Sequence, residues 1–377
     1  MGAGATTLAG RSRAIRASAR RGGDVDLALL GVFGALLAGG VVMVASASAP
    51  GGGLLARHLS ALAVALGAGV MAFWVRTEFW RRAAPLLMLA ALALLALVLA
   101  VGIDVNGSRR WLAVGALRVQ PSELAKLCIV VFTAAFIARH RERLGNARVA
   151  AVPAAVLVAV AVLLLLEPDL GAALVAAGVV AALLLLGGVR MAHFAIGAAA
   201  AAVAAAVAAV AADYRLERLL AMLNPWSDPY GSGYQLVQAF IAFGRGELFG
   251  VGLGAGIQKL FYLPHATNDF LLAVVGEELG LAGTLTVMAL FAVLLWRGFT
   301  IAARARDSGW FFESLLAAGM TLLLALQAVI NIGVNLGLLP TKGLTLPLMS
   351  YGGSSLVVCC MAAGIILAVD RKTRGRA

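Results

Sequence analysis

"FYLPHATNDFLLAVVGEELGLAGTLTVMALFAVLLW", residues 261–296, sets a knot of Pro, His, Thr, Asn and Asp against an apolar run that begins at Asp269. A helix needs about 20 apolar residues to cross a bilayer, and the run from 269 to 296 is long enough. Eight runs of similar length lie at 27–46, 54–75, 84–103, 121–138, 149–166, 169–187, 192–212 and 312–336, and a further run at 343–369 is broken near its start. With 62% hydrophobic and 13% charged residues and a mean hydropathy of +0.97, the chain carries more apolar surface than a soluble core can hide. The expected fold is an all-α polytopic membrane protein of about ten transmembrane helices. A single unit, 27–369, is flanked by basic tails at 1–26 and 370–377, with one large non-apolar loop at 213–268.

The formal net charge of +12 would point to nucleic acid in a soluble protein. Here the basic residues cluster beside spans, so the charge describes topology instead and no nucleic-acid partner is expected. With the N-terminus inside, about two-thirds of the 30 Lys and Arg fall in inner tails and loops, which favours both termini in the cytoplasm. The first run follows an Arg cluster and precedes a cleavage-like "ASASA" at 45–49. It exceeds a signal-peptide core in length and reads as an uncleaved anchor. Cys128, Cys359 and Cys360 all sit inside apolar runs and read as small buried side chains.

Several stretches break the apolar pattern. In "QPSELAKL", 120–127, Glu123 and Lys126 are three residues apart on one helical face and able to pair. Ionisable groups at membrane depth cost about 2.5–3.5 kcal/mol each on insertion scales, so the pair either locks helices together or lines a cavity. In "NGSRRWLAVGALRVQPSE", 106–123, Arg109, Arg110 and Arg118 flank Trp111. Guanidinium forks suit phosphate oxygens, whereas the Trp suits a membrane interface. "LEPDLG", 166–171, places Glu167 and Asp169 in a short outer turn where Asp169 reads first as a helix cap. "LLPTKGLTLPLMSYGGSS", 338–355, interrupts a span with Pro340, Pro347 and Gly352-Gly353, marking a site wall near Lys342 and Ser350. "YQLVQAFIAF", 234–243, reads as a short amphipathic helix at the interface. By residue type alone Asp269 is an N-cap; an ionised carboxylate beside a cavity could equally be a base.

Taken together and in order, "QPSELAKL", "EPDLG", "NPWSDPYGSGYQLVQAFIAFGRGELFGVGLG", "FYLPHATNDFLLAVVGEELG" and "LLPTKGLTLPLMSYGGSS" resemble the SEDS family (shape, elongation, division and sporulation) over most of 106–355. The pattern is more similar to the cell-division branch than to the elongation branch. The resemblance implies a peptidoglycan glycosyltransferase that polymerises lipid II at the outer face of the inner membrane, at the division site. It also implies a class B penicillin-binding protein, a septal transpeptidase, as partner, with divisome regulators and membrane lipid around it. Asp269 matches the family's essential aspartate, and its implied role is the general base. Arg110, Lys126, Arg245, Lys259 and Lys342 are the implied cations for an undecaprenyl pyrophosphate leaving group, with Trp111, Glu123, Asp169 and Ser350 as further substrate-binding candidates. No cofactor is assigned, and a divalent cation on the pyrophosphate is left open. Where the family reads Pro-Glu-x-His-Thr-Asp-Phe, this chain has Pro264-His265-Ala266-Thr267-Asn268-Asp269-Phe270, so the Glu and His are replaced. A lipid II flippase and a non-catalytic divisome scaffold are the rival readings. A flippase working by alternating access would carry internal repeats, and none is evident.

Overall fold

A computed structural model describes residues 25–49, 52–105, 108–115, 117–210, 213–341 and 343–375, with the backbone alone at 105, 108, 114, 117, 201–210 and 213–216. The elements in order are α1 (Leu27–Ser48), α2 (Leu54–Trp74), α3 (Thr77–Val101), β1 (Ile103–Val105), β2 (Ser108–Val114), β3 (Leu117–Val119), α4 (Pro121–Arg139), α5 (Ala147–Leu166), α6 (Leu170–Gly187), α7 (Met191–Val210), α8 (Asp213–Leu223), α9 (Tyr234–Gly246), α10 (Leu271–Asp307), α11 (Phe311–Asn335) and α12 (Gly353–Arg374). Among the described residues nine helices, α1 to α6 and α10 to α12, are long and apolar enough to cross a membrane. The tenth expected run, 192–212, coincides with α7, whose side chains beyond 200 lie outside the described residues.

Helices α4, α11 and α12 are buried along most of their length and form the centre, while α2, α3 and α5 turn most of their surface outward. In lipid, helices gain little from the hydrophobic effect against each other, so close backbone approach has to supply the packing. The α2/α12 crossing does this with glycine. A Cβ on Gly69 would lie 2.8 Å from the carbonyl oxygen of Cys360, and one on Gly364 would run into the carbonyl of Gly69.

The structure departs from the expected spans in three places. Residues 343–352 are irregular, and α12 starts only at Gly353, because Pro347 and the Gly pair cannot continue a helix. Helix α10 runs on to Asp307 and breaks at Gly280, whose φ of 68° suits glycine alone. The Arg-rich loop is a three-stranded antiparallel ribbon, ordered β1-β2-β3, with Asp104 opposite Arg109 and Ile103 opposite Trp111. The amphipathic stretch 234–243 is helical, as α9, and is docked on the first half of α10.

Both ends of α12 are pinned. At its start Gln120 N–H donates to Ser354 Oγ (3.0 Å). At its finish Asp370 pairs with Arg304 (2.9 Å) and Arg374 (2.9 Å), Lys372 pairs with Glu313, and Arg297 reaches Asp26 before α1. All three cysteines are buried and free. Placing a side chain at the α2/α12 crossing should be costly: Gly364→Val is expected to lower stability by about 1–3 kcal/mol or more through overpacking. Thermal melts in detergent check this against Gly67→Ala, where a new Cβ meets nothing within 4 Å.

Candidate active site

The turn before α10 is held from several sides, and Asp269 sits in it, half-buried. Its backbone carbonyl accepts from Asn331 Nδ2 (2.8 Å) and Asn335 Nδ2 (2.9 Å), both on α11. Ser350 Oγ donates to the carbonyl of Asn268 (2.5 Å), and Tyr351 N–H donates to that of Thr267 (3.0 Å). Asn331 also donates to the carbonyl of Leu344 (2.6 Å), so one side chain ties the turn to the irregular 343–352 segment. Phe270 holds the N-cap position of α10 and makes no side-chain capping bond. The cap reading of Asp269 is therefore overturned: its main chain is used for anchoring, and its carboxylate lies beside Gly343.

Burial raises the Asp269 carboxyl to about 6, opposed by the positive fields of His265, Arg110 and Arg218 and reinforced by Asp169. These are the groups that the fold gathers around it. His265 is exposed at the turn, with a left-handed φ of 57°. Arg218, on α8, donates to the carbonyl of Thr341 (3.2 Å), linking the 213–268 segment to the segment after α11.

Arg110 projects from β2 to the turn between α5 and α6. Its Nε donates to the carbonyl of Glu167 (2.8 Å) and Nη2 to that of Pro168 (2.6 Å). Those bonds satisfy carbonyls at a helix C-terminus, where a cation is favoured. Trp111, beside it, is half-buried in the ribbon. Asp169 does cap α6, accepting from Ala172 N–H (3.0 Å), and its other oxygen accepts from Ser122 Oγ (2.9 Å) at the start of α4. Glu167 is fully buried with neither carboxyl oxygen bonded among the described residues, and burial, with Asp169 nearby, pushes it up to about 8.

The other predicted residues fall into two neighbouring networks. Lys126, fully buried, donates to Glu123 (2.9 Å) and to Gln327 Oε1 (2.8 Å). Gln327 passes the connection to Thr345 (3.2 Å) and Ser355 (3.1 Å). Lys259 and Arg245 belong to the second network. Lys259 Nζ donates to Glu278 (2.6 Å), Ser46 Oγ (2.8 Å) and the Gly254 carbonyl (2.8 Å); Arg245 pairs with Glu277 (3.1 Å). Both lysines and Arg245 are thus committed to carboxylates in this structure. Lys342 lies outside the described residues. Among the described residues no group of three or more His, Cys, Asp or Glu is placed to hold a metal ion.

Sequence reasoning missed the residues that hold the site. Gln327, Asn331 and Asn335 are spaced by four along an otherwise apolar helix, which puts three amides on one face. Glu277 and Glu278, adjacent and fully buried, collect the N–H groups of Ile257, Gln258 and Gly254 as well as the two cations. A run of polar residues at helical spacing, or paired acids inside a span, was the available signal. Arg218 gave none beyond being basic in an outer loop.

Fold and site together define a multi-pass membrane protein with a half-buried carboxyl group held in a turn at one end of its helical bundle. Comparison with known proteins gives the particular family. A family model described as cell cycle protein, covering the FtsW, RodA and SpoVE proteins, matches residues 26–375, and the chain belongs to that family. It is 48% identical over 360 residues to a probable peptidoglycan glycosyltransferase FtsW of Nitrosococcus halophilus, covering 93% of each chain. It is 44% identical to one named likewise in Pseudomonas fluorescens, covering 94% of this chain and 90% of that one. Among solved structures, a chain from work on a peptidoglycan synthase complex that coordinates polymerization and crosslinking superposes with a TM-score of 0.78 at 33% identity, covering 93% of this chain and 98% of that one. The rod shape determining protein RodA of Thermus thermophilus gives 0.68 at 32%, covering 93% and 97%.

Replacing Glu167 separates its burial from its charge. Its folded-state value, about 8, lies above that of an ordinary glutamate, so the folded state favours the protonated form and stability is lost as pH rises through the interval. Glu167→Gln should gain on wild type from about pH 5 upward, with the gap levelling above about pH 8. Melting temperatures across pH 5–9 check this, and a constant gap would contradict it.

Proposed function

We propose that the chain is a peptidoglycan glycosyltransferase that polymerises lipid II on the outer face of the cytoplasmic membrane during division, with a class B penicillin-binding protein as partner. Membership of the family over nearly the whole chain supports the activity. The observation that carries the mechanism is the Asp269 carboxyl, raised to about 6 in a turn fixed by α11 and the 343–352 segment. A base with that value is mostly ionised at neutral pH and still able to accept a proton.

In the proposed step Asp269 takes the proton from the 4-hydroxyl of the acceptor's N-acetylglucosamine. That oxygen attacks the anomeric carbon of the donor's N-acetylmuramic acid, and the bond to phosphate breaks with its electron pair leaving on undecaprenyl pyrophosphate. One displacement inverts the anomeric centre. The leaving group needs positive charge rather than a strong acid. Arg110 and Arg218 are the cations whose fields reach Asp269, so they take the role first given to Lys259 and Arg245, which are held by glutamates. Lys126 acts through its bonds to Glu123 and Gln327, supporting the wall that carries Thr345.

The decisive assay is glycan-strand synthesis from purified lipid II with the transpeptidase partner present. Asp269→Ala should lose about 10²–10⁴ in rate while its melting temperature stays near wild type, since no capping bond is removed. Near-normal polymerisation by that variant would remove Asp269 as the base, whereas failure of the wild type to make strands would leave the flippase or the scaffold. The wild-type rate should fall about tenfold per pH unit below roughly pH 6, because protonation of Asp269 removes the base.

A further inference from the structure

At the end of the bundle opposite Asp269, a groove of about 590 Å³ opens between α3 and α4. Its walls are Ala84, Pro85, Phe132 and Phe136, and its rim carries Arg81, Arg82 and Arg139. The two ends are distinguished by α12, which starts beside the Asp269 turn and finishes with Lys372 donating to Thr77 at the start of α3 (3.0 Å). We propose that this groove binds one anionic glycerophospholipid, its phosphate on the arginine rim and its upper acyl chain along the apolar wall.

Charge complementarity favours that occupant. One carboxylate oxygen, Glu78 Oε1, accepts from both Arg81 Nη2 (2.8 Å) and Arg82 Nε (2.8 Å), so a single negative charge is shared by two guanidiniums. Arg139 adds a third cation across the groove, leaving the rim with positive charge in excess. Forked guanidiniums match phosphate oxygens. Basic pockets between transmembrane helices are suited to anionic headgroups. The wall supplies the rest. Pro85 has no N–H to give the carbonyl of Arg81 one turn earlier, which leaves an acceptor at the rim for a headgroup hydroxyl. His140 is stacked on Phe136 at 4.3 Å and hydrogen-bonded to its carbonyl (3.0 Å), so the floor is fixed. Beyond the groove the α3 surface continues into exposed Leu86 and Leu89, the apolar track an acyl chain would follow. A soluble phosphate compound would make no use of that track.

The full-length protein is reconstituted in nanodiscs of phosphatidylcholine alone or with phosphatidylglycerol, and lipid retention is read by native mass spectrometry and melting temperature. Phosphatidylglycerol should be retained and should raise the melting temperature over phosphatidylcholine. The Arg82→Gln/Arg139→Gln pair should weaken retention by about fivefold per arginine removed. Arg57→Gln, in the first turn of α2 and away from this groove, should leave it unchanged. Retention unaffected by the double variant overturns the proposal. So does equal stabilisation by inorganic phosphate in phosphatidylcholine discs, which would assign the rim to a free anion. Should the double variant fail to melt cooperatively in phosphatidylcholine, Arg82→Glu carries the test alone, because the Arg82 side chain is 81% exposed and its reversal leaves the fold intact. None of these readouts depends on glycan synthesis, so the site and the proposed activity stand or fall separately.

Discussion

Breaking a helix inside an apolar layer strips backbone N–H and C=O groups of their partners, and in lipid no water replaces them. The break at Gly280 in α10 is the point on which the site end of this bundle depends. The carbonyls of Glu277 and Glu278 are taken by the N–H groups of Val251 (3.0 Å) and Gly252 (3.1 Å). The N–H groups of Leu281 and Ala282 find the carbonyls of Glu247 (2.9 Å) and Leu248 (3.0 Å). A stretch of the 213–268 segment, residues 247–252, therefore serves as the missing turn of the helix, and it cannot leave without exposing four polar groups of α10. The carboxylates of the same two glutamates then gather 254–259 and the cations Arg245 and Lys259.

The same constraint explains how Asp269 is placed. The half-helix before the break, from Leu271 to Glu278, is entirely buried, so the turn that precedes it is carried into the bundle instead of lying loose at the surface. There its carbonyls need donors, and α11 and the 343–352 segment supply them. Using amides and a hydroxyl for this purpose keeps the main chain satisfied without neutralising the carboxylate. Asp269 remains the titratable group, in a setting where burial raises it and the fields of His265, Arg110 and Arg218 hold it back from rising further. A geometry fixed in this way avoids reorganisation at the moment of reaction, which is where much of an enzyme's electrostatic gain lies.

Much of this was legible in the sequence. Spans of about 20 apolar residues predict the helices, and the pairing of Glu123 with Lys126 follows from their spacing alone. Asp169 as a cap follows from Pro and Gly on either side of it. Less legible was anything that depended on which distant groups meet. Lys259 and Arg245 are outer cations by sequence, and only the fold shows that Glu278 and Glu277 already hold them. Asp269 has the residue type of a cap, yet the helix begins one residue later, at a register set by tertiary bonds from α11. The ribbon at 103–119 was read as a plain loop because its strands are short and its pairing is local to a stretch dominated by charge.

The ion pairs narrow what the positive charge at this end of the bundle can do. An ammonium bonded at 2.6 Å to a fully buried carboxylate can release it for a substrate only by leaving that carboxylate uncompensated in a low-dielectric site, which is strongly unfavourable. Arg110 differs because its bonds go to neutral carbonyls, and exchanging a carbonyl for a phosphate oxygen gains charge without stranding any. Glu167, whose carboxyl lies within the field of Arg110, is pushed up to about 8 by burial and so offers that charge little opposition. The positive field at Asp269 thus draws on Arg110, whose bonds go to neutral carbonyls. The two buried lysines, Lys126 and Lys259, belong to the frame.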